Sequence, residues 1–272
     1  MEEIIVTPDP SSACLSVVIP VYNERETLAE VVEKILRVPH LLEVIVVDDC
    51  STDGTREIAR DLASTDERIR VVHLDKNSGK TTALKAGFGL TRGEVVIIQD
   101  ADLEYDPSEI PAVVQPILEG HADVVYGSRF LVRKEARVLY YYHYLGNRLL
   151  TTLSNILTNL NMTDIETGYK AFRREIIRNM IISSNGFGFE VEVTAKVAKL
   201  RCAVYEVPIS YYGRTYEQGK KIGFVDGLTA LWLVLRFNLF CSRRMSFQRL
   251  PDLRHTSSSE TQSTKRGVHD DV

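Results

Sequence analysis

Five apolar runs of six to eight residues recur through the first half of the 272-residue chain, and they limit the fold more than any other feature. They are Leu15–Tyr22, Leu42–Asp49, Ile69–Leu74, Glu94–Asp100 and Ala122–Ser128. Such runs are short for helices and too continuously apolar for strands with one wet face, so they suit strands covered on both sides. The intervals between them leave room for helices, and several carry start or turn signals. Asn23 with Glu26 three residues on forms a capping-box pattern. The STDGT at 51–55 reads as a turn into a helix, and further helices open near Gly79 and after Pro107. This alternation predicts an α/β fold with a mainly parallel sheet flanked by helices. The order stops near Arg129. Residues 136–162 read as mostly helical, with Tyr140, Tyr141, Tyr142 and Tyr144 near the start, and Ala203–Tyr211 supplies one more strand.

The expected organisation is a leader over 1–14, one domain over 15–244 and a polar, Ser/Thr-rich tail over 245–272 whose composition predicts disorder. The acidic and polar Met1–Pro10 does not resemble a secretory signal. Phe224–Phe240 is the most apolar stretch, but Asp226, Arg236 and Asn238 interrupt it. A spanning helix needs about 18 nearly charge-free residues, so this is a poor span. Cys14, Cys50, Cys202 and Cys241 show neither CxxC nor zinc-type spacing and read as free thiols of a reducing compartment. A net charge of -4 gives no electrostatic case for nucleic acid. The location expected from this is cytoplasmic, with room for peripheral attachment at the cytoplasmic face of a membrane.

In open α/β sheets, ligands bind beyond the carboxyl ends of the strands. Those ends hold Tyr22-Asn23-Glu24, Asp48-Asp49, Asn77 to Lys80, and Asp100-Ala101-Asp102-Leu103-Glu104. The last cluster is the strongest chemical signal. Two aspartates flank one small residue directly after an apolar strand, so both carboxylates can reach one hard cation that also holds a diphosphate. The same spacing alone also fits a solvated acidic loop. NSGKTT (Asn77–Thr82) follows a strand and opens a helix, as a P-loop does. The glycine a P-loop needs five residues before its Gly-Lys pair is Leu74 here, which disfavours a nucleoside triphosphatase. Lys80 at a helix N-terminus suits either a phosphate contact or an ordinary surface position.

Four segments, VVIPVYNERETL (Val17–Leu28), VVDDCSTDGT (Val46–Thr55), NSGKTTALKAG (Asn77–Gly87) and QDADLEYDP (Gln99–Pro107), together resemble the family 2 glycosyltransferases with the GT-A fold. In the second half YGSRF (Tyr126–Phe130), TDIETGYKAFRREI (Thr163–Ile176), GFGFEVEV (Gly186–Val193) and EVPISYYGRTYEQGKKI (Glu206–Ile222) resemble dolichyl-phosphate mannose synthases and related polyprenyl-phosphate glycosyltransferases. The resemblance runs from about Leu15 to Leu235. It implies a GT-A, Rossmann-like catalytic domain with helical elements on the acceptor side.

The resemblance also assigns residues. Pro20, Tyr22 and Glu24 would grip the nucleoside of a nucleotide diphosphate sugar, and Asp48 and Asp49 the base or ribose. Asp100, Asp102 and Glu104 would hold Mg²⁺ or Mn²⁺ with the donor diphosphate; family members often carry Gln where Glu104 stands. Arg129, Lys170 and Arg173 would act on the reacting phosphates, with Lys170 standing where mannose synthases commonly carry Arg, which unlike Lys offers a bidentate fork. Arg214 and Lys220 would belong to a basic loop closing over the diphosphate.

The implied reaction is inverting transfer of a hexose, mannose or glucose, to a polyprenyl phosphate. A phosphate monoester is largely ionised at neutral pH, with a second pKa of about 6, so no strong base is required. A hydroxyl acceptor would need a carboxylate base, for which Asp164, Glu166, Glu190 and Glu192 are the nearby candidates. A non-catalytic nucleotide-sugar-binding subunit is the remaining alternative, and the complete Asp-Ala-Asp set argues against it. A lipid acceptor requires a bilayer surface or a membrane-protein partner. Leu149, Leu153, Ile156 and Leu160 at helical spacing, and the apolar 228–240 segment flanked by Arg236, Arg243 and Arg244, suit such a surface. Core-facing helices would show the same spacing.

Overall fold

A computed structural model describes residues 13–131, 140–213, 224–251 and 253. The first half runs β1 (Leu15–Val21), α1 (Leu28–Ile35), β2 (Leu41–Asp48), α2 (Thr55–Thr65), β3 (Ile69–His73), α3 (Lys80–Leu90), β4 (Val95–Ile98), a 3₁₀ turn (Pro107–Glu109), α4 (Ile110–Leu118) and β5 (Val124–Ser128). The second half adds α5 (Tyr141–Thr158), β6 (Lys170–Arg173), α6 (Arg174–Asn179), α7 (Phe189–Leu200), β7 (Val204–Pro208), α8 (Phe224–Leu239) and α9 (Arg243–Ser246). The strands form one sheet in the order β3-β2-β1-β4-β6-β5-β7. It is parallel except for β6, which runs antiparallel to both β4 and β5.

The α/β expectation holds, and burial on both faces explains the continuous apolar runs. All seven residues of β1 are buried. Val17, Ile19 and Val21 enter the core shared with α1 and α4, while Val18 joins Val96 and Ile98 in the core built with α3, α5, α7 and α8. Helix α1 meets the sheet through Leu28, Val31, Val32 and Ile35, an i, i+3, i+4, i+7 stripe. Strand β6 is the element that sequence reading misses. Four residues are too few to show a period, and what fixes this segment is its fit between two strands, with Ala171 and Phe172 fully buried.

β2 and β3 extend from one side of β1, and β4 lies on the other, so the sheet changes direction between β1 and β4. That switch point is where a crevice opens in folds of this type. Pro20 reflects it. β1 pairs with β2 as far as Val21↔Asp48 but with β4 only as far as Val18↔Ile98. A proline, which lacks an N–H, is tolerated where a neighbouring strand has ended.

Two details differ from expectation. Asn23 does not cap α1, which starts at Leu28 after Thr27. Instead Asn23 adopts a left-handed conformation, and its Oδ1 accepts from Thr52 N at 2.9 Å. Packing also continues past the compositional boundary at 244. Ser242 caps α9 by accepting from Met245 N, Phe247 is buried and bridges Met180, and Gln248 N donates to Asn179 O at 2.8 Å. One aromatic residue in a polar stretch supplies this anchorage. The four cysteines are free. Among the described residues no helix is long and apolar enough to cross a membrane.

Candidate active site

The turns after β1, β2 and β4 place Asn23, Cys50 and Leu103 in the left-handed region, at φ 54°, 63° and 59°. Side chains other than glycine enter that region at a cost, which neighbouring structure must offset. For the first two turns it is offset by bonds between loops. Asn23 N donates to Ser51 Oγ (3.0 Å), Glu24 N to Thr55 Oγ1 (3.0 Å) and Arg25 N to Asp53 Oδ2 (3.2 Å). Asp53 also accepts from Thr55 N and Oγ1. Burial raises the Asp53 pKa, but these donors outweigh it and hold the carboxyl below its usual value. The polar residues of the STDGT turn thus stitch the β1 loop to the β2 loop.

One pocket of ≈190 Å³ opens above these turns, lined by Pro20, Tyr22, Glu24, Asp49, Lys80, Asp100 and Asp102 together with Val21, Ala83 and Ala101. The acidic pair after β2 divides its work. Asp48 is fully buried and does not line the pocket; its oxygens take Ser51 N (3.0 Å) and His73 Nδ1 (3.0 Å), with Arg56 Nε at 3.6 Å. Asp49 lines the pocket, yet its two oxygens accept Ser78 N (2.8 Å) and Gly79 N (2.7 Å). It therefore builds the loop that starts α3. Gly79, at φ 86°, makes that turn where a side chain would be strained.

The turn delivers Lys80 to Asp100. Its ammonium lies 2.7 Å from Asp100 Oδ1 and 3.0 Å from Oδ2, with Glu190 Oε1 at 3.8 Å. Burial lowers the Lys80 pKa, but Asp100 and Glu190 more than reverse this and raise it. The fully buried Gln99 side chain fixes the acidic loop from below, donating to the carbonyls of Asp100 (3.0 Å) and Tyr105 (3.2 Å). Asp102 Oδ1 accepts from Glu104 N at 3.1 Å, closing a tight local turn. Glu104 faces the other way: its Oε2 accepts from Tyr211 Oη at 2.8 Å. Among the described residues no three His, Cys, Asp or Glu side chains gather into a metal-holding group. Of the three carboxylates expected to hold the ion, Asp100 and Asp102 line the pocket. Two carboxylates still fit the ion chemistry, because Mg²⁺ is commonly bound by one or two carboxylates plus substrate phosphate.

Gly168, absent from the sequence-based candidates, governs Asp100. A Cβ there would lie 2.5 Å from Asp100 Oδ2 and 3.1 Å from Tyr105 Cε2, and Gly168 N donates to Tyr105 Oη at 3.0 Å. Gly168→Ala should displace Asp100 and lower kcat/KM by about 10–100-fold, the usual range for disturbing a ligand's support. Mn²⁺ titration in the presence of GDP or UDP should weaken in parallel. Wild-type values in both measurements would show that Asp100 tolerates the shift. The only sequence signal for this position is a glycine two residues before Lys170.

The basic residues of the second half scatter. Arg129, just past β5, is buried in a two-point ion pair with the fully buried Asp164: Nε to Oδ2 at 2.7 Å and Nη2 to Oδ1 at 2.8 Å. Burial opposes its charge, but Asp164 raises its pKa well above normal. Asp164 is in turn held by Glu206, which accepts from its N–H and from Thr163. Lys170 is fully buried, and its Nζ donates to the carbonyls of Ile165 (3.0 Å) and Thr167. The Lys170 stem folds back so that its ammonium satisfies the turn before β6. Arg173 lies at the opposite end of β6, beside Val95, with Nε 3.1 Å from Asp123 Oδ1. An antiparallel strand carries it to the amino ends of its neighbours, away from the pocket. Arg214 and Lys220 lie outside the described residues.

The four candidate bases are also engaged or buried. Glu192 is fully buried and accepts from Ser183, Ser184 and Lys196. Glu190 faces Lys80. Burial and then the neighbouring Glu190 push the Glu166 carboxyl up to about 7. A carboxyl whose pKa is raised on folding stabilises the fold fully below its unfolded value, near 4.5, and loses that contribution as pH rises through about 7. Glu166→Gln should thus gain in melting temperature over the parent progressively between pH 5 and 8. A constant difference across that range would show that Glu166 titrates normally.

The fold and pocket define a class, and the family comparison agrees: residues 16–181, more than half of the chain, match the model for glycosyl transferase family 2, and the chain belongs to that family. It is a sugar-transferring enzyme. The chain is 33% identical over 214 residues to polyprenol monophosphomannose synthase of Mycolicibacterium smegmatis, covering 76% of this chain and 80% of that protein. It is 32% identical over 243 residues to undecaprenyl-phosphate mannosyltransferase of Micrococcus luteus, covering 82% and 97% respectively. Among solved structures, Mycobacterium tuberculosis glucosyl-3-phosphoglycerate synthase in complex with Mg²⁺ and UDP shares the fold, with a TM-score of 0.64 at 22% identity over 84% of this chain and 80% of that one.

Proposed function

We propose that this protein moves a hexose, mannose or glucose, from a nucleoside diphosphate to a polyprenyl phosphate, with inversion at the anomeric carbon. The observation that carries the donor side is one pocket lined by Asp100, Asp102, Lys80 and the β1 residues Pro20, Tyr22 and Glu24. Pro20, Tyr22 and Glu24 would bound the nucleoside, and Asp100 and Asp102 would hold a divalent cation, Mg²⁺ or Mn²⁺. When bound, that ion supplies charge neutralisation to the leaving diphosphate. Lys80 at the start of α3 adds a cation and a helix N-terminus on the same side. The two relatives, a polyprenol monophosphomannose synthase and an undecaprenyl-phosphate mannosyltransferase, support a lipid phosphate as acceptor.

Three of the four candidate bases are engaged by cations, which leaves Glu166, whose carboxyl is pushed up to about 7, as the base a hydroxyl acceptor would have to use. Asp164 is bound to Arg129, Glu192 to Lys196 and Glu190 to Lys80. An acceptor that arrives as an anion needs none of them as a base, whereas a sugar hydroxyl would.

The apolar surface fits a membrane-borne acceptor. On α5, Tyr141, Leu145, Leu149 and Ile156 are exposed along one stripe, and on α8 Leu228, Trp232 and Leu239 are exposed along another. Their opposite faces, through Leu150 on α5 and Leu233, Val234 and Phe237 on α8, join one core. Exposed Arg148, Arg236, Arg243 and Arg244 border these stripes and suit anionic headgroups. Ile156→Asp combined with Trp232→Asp should lower co-sedimentation with anionic phospholipid vesicles about tenfold or more, since each buried apolar side chain contributes roughly 1.5–3 kcal/mol. Unchanged vesicle binding would assign the stripes another role.

The deciding assay offers the full chain radiolabelled GDP-mannose or UDP-glucose, Mg²⁺ or Mn²⁺, and a polyprenyl phosphate in detergent. Label entering the organic phase with one donor, and not with EDTA, supports the reading. Metal-dependent donor binding without lipid label from either sugar overturns it and directs attention to a hydroxyl acceptor.

A further inference from the structure

We infer that Lys80 is an internal counter-cation that occupies Asp100 until metal and donor arrive together, so that the free enzyme resists binding metal alone. This rests on the donor-site reading above. The Lys80 ammonium touches both Asp100 oxygens, at 2.7 and 3.0 Å. A hard cation takes carboxylate oxygens at roughly 2.0–2.1 Å for Mg²⁺. It would have to use the oxygens that Lys80 now holds, with a like charge beside it. Where it stands, Lys80 competes with the ion for the lone pairs of Asp100.

The surroundings give it somewhere to go. Glu190, in the first turn of α7, presents Oε1 3.8 Å from the ammonium as a second carboxylate within its reach. Lys80 sits at the first position of α3, on a backbone fixed by Asp49 through Ser78 N and Gly79 N. Its root is therefore held, while its four-carbon stem carries the rotatable bonds through which the ammonium would move. A donor diphosphate entering the pocket brings negative charge that both the ion and Lys80 can meet. Metal and nucleotide then favour each other's binding, and by linkage each raises the other's affinity by the same factor. Asp100 and Glu190 thus act as the two ends of a switch whose moving part is one lysine.

The test is Mn²⁺ affinity of the full chain without nucleotide, read by electron paramagnetic resonance of free Mn²⁺. Lys80→Met should bind Mn²⁺ about tenfold more tightly than wild type, because the competing ammonium is gone. Glu190→Gln should bind it several-fold more weakly, because Lys80 is left with Asp100 alone. In an Asp100→Asn background the Lys80→Met gain should vanish, as expected when one pair carries the effect. The enhancement of Mn²⁺ binding by GDP or UDP should shrink in Lys80→Met. Opposite signs for the two single variants separate the switch from general damage to the fold, which would weaken both. Equal or weaker Mn²⁺ binding in Lys80→Met, or a shift of both variants in one direction, overturns the inference. These readings need no sugar or lipid, so they stand apart from the transfer assay: loss of the lipid-acceptor reading would leave them intact, and the reverse.

Discussion

Asp102→Ala should lower sugar transfer by about 10³-fold, because several kcal/mol of stabilisation at the leaving diphosphate depends on the carboxylates, and each ~1.4 kcal/mol is a factor of ten. Its melting temperature should stay close to that of the parent, since Asp102 lies on a pocket wall rather than in the core. Asp102 also has a structural task, accepting from Glu104 N through Oδ1. Asp102→Asn separates the two roles, because the amide oxygen keeps the turn while the charge is lost. The expected result is that both variants fall together in kcat/KM and both lose nucleotide-dependent Mn²⁺ binding. An active Asn variant beside an inactive Ala variant would assign Asp102 to the turn, and leave the proposed ion to Asp100.

The second large effect is on stability. Arg129→Met should destabilise the fold by about 3–5 kcal/mol in urea denaturation, the range for removing one partner of a buried pair and leaving the other charge behind. Both side chains are shielded, at 9% and 0% exposure, and two hydrogen bonds join them. Arg129→Lys should recover only part of the loss, because an ammonium cannot reproduce the fork. Arg129→Met combined with Asp164→Leu should recover more, since an apolar pair leaves no buried charge. A loss below about 1 kcal/mol for Arg129→Met would mean that water reaches the site as it does a surface pair. The result bears on function as well. The arginine held by Asp164 also lies with its guanidinium 5.2 Å from the centroid of the Tyr211 ring, whose hydroxyl donates to Glu104. Transfer to any phosphate would first have to compete with Asp164.

The sequence alone determined the five strands of the first half and the strand ends that line the pocket. Strands buried on both faces leave continuous apolar runs, and the residues that interrupt those runs at the carboxyl ends are the ones that line the crevice: Tyr22 and Glu24, Asp49, Lys80, Asp100 and Asp102. These signals are local, since a strand and the turn after it lie within about ten residues of each other. The partner of each charge is a different matter. Arg129 and Asp164 are 35 residues apart, Lys80 and Glu190 are 110 apart, and Glu104 meets Tyr211 across 107. No spacing rule connects such pairs. The four-residue β6 shows the same limit most directly. Lys170 and Arg173 look like a matched basic pair in sequence, yet an extended strand separates them by roughly 10 Å and points them to opposite faces. Because β6 runs antiparallel, it turns Lys170 into the turn below the pocket and sends Arg173 to Asp123 at the far end of the sheet. Only the packing of β6 between β4 and β5 decided that, because strand direction is set by long-range pairing and not by the four residues themselves.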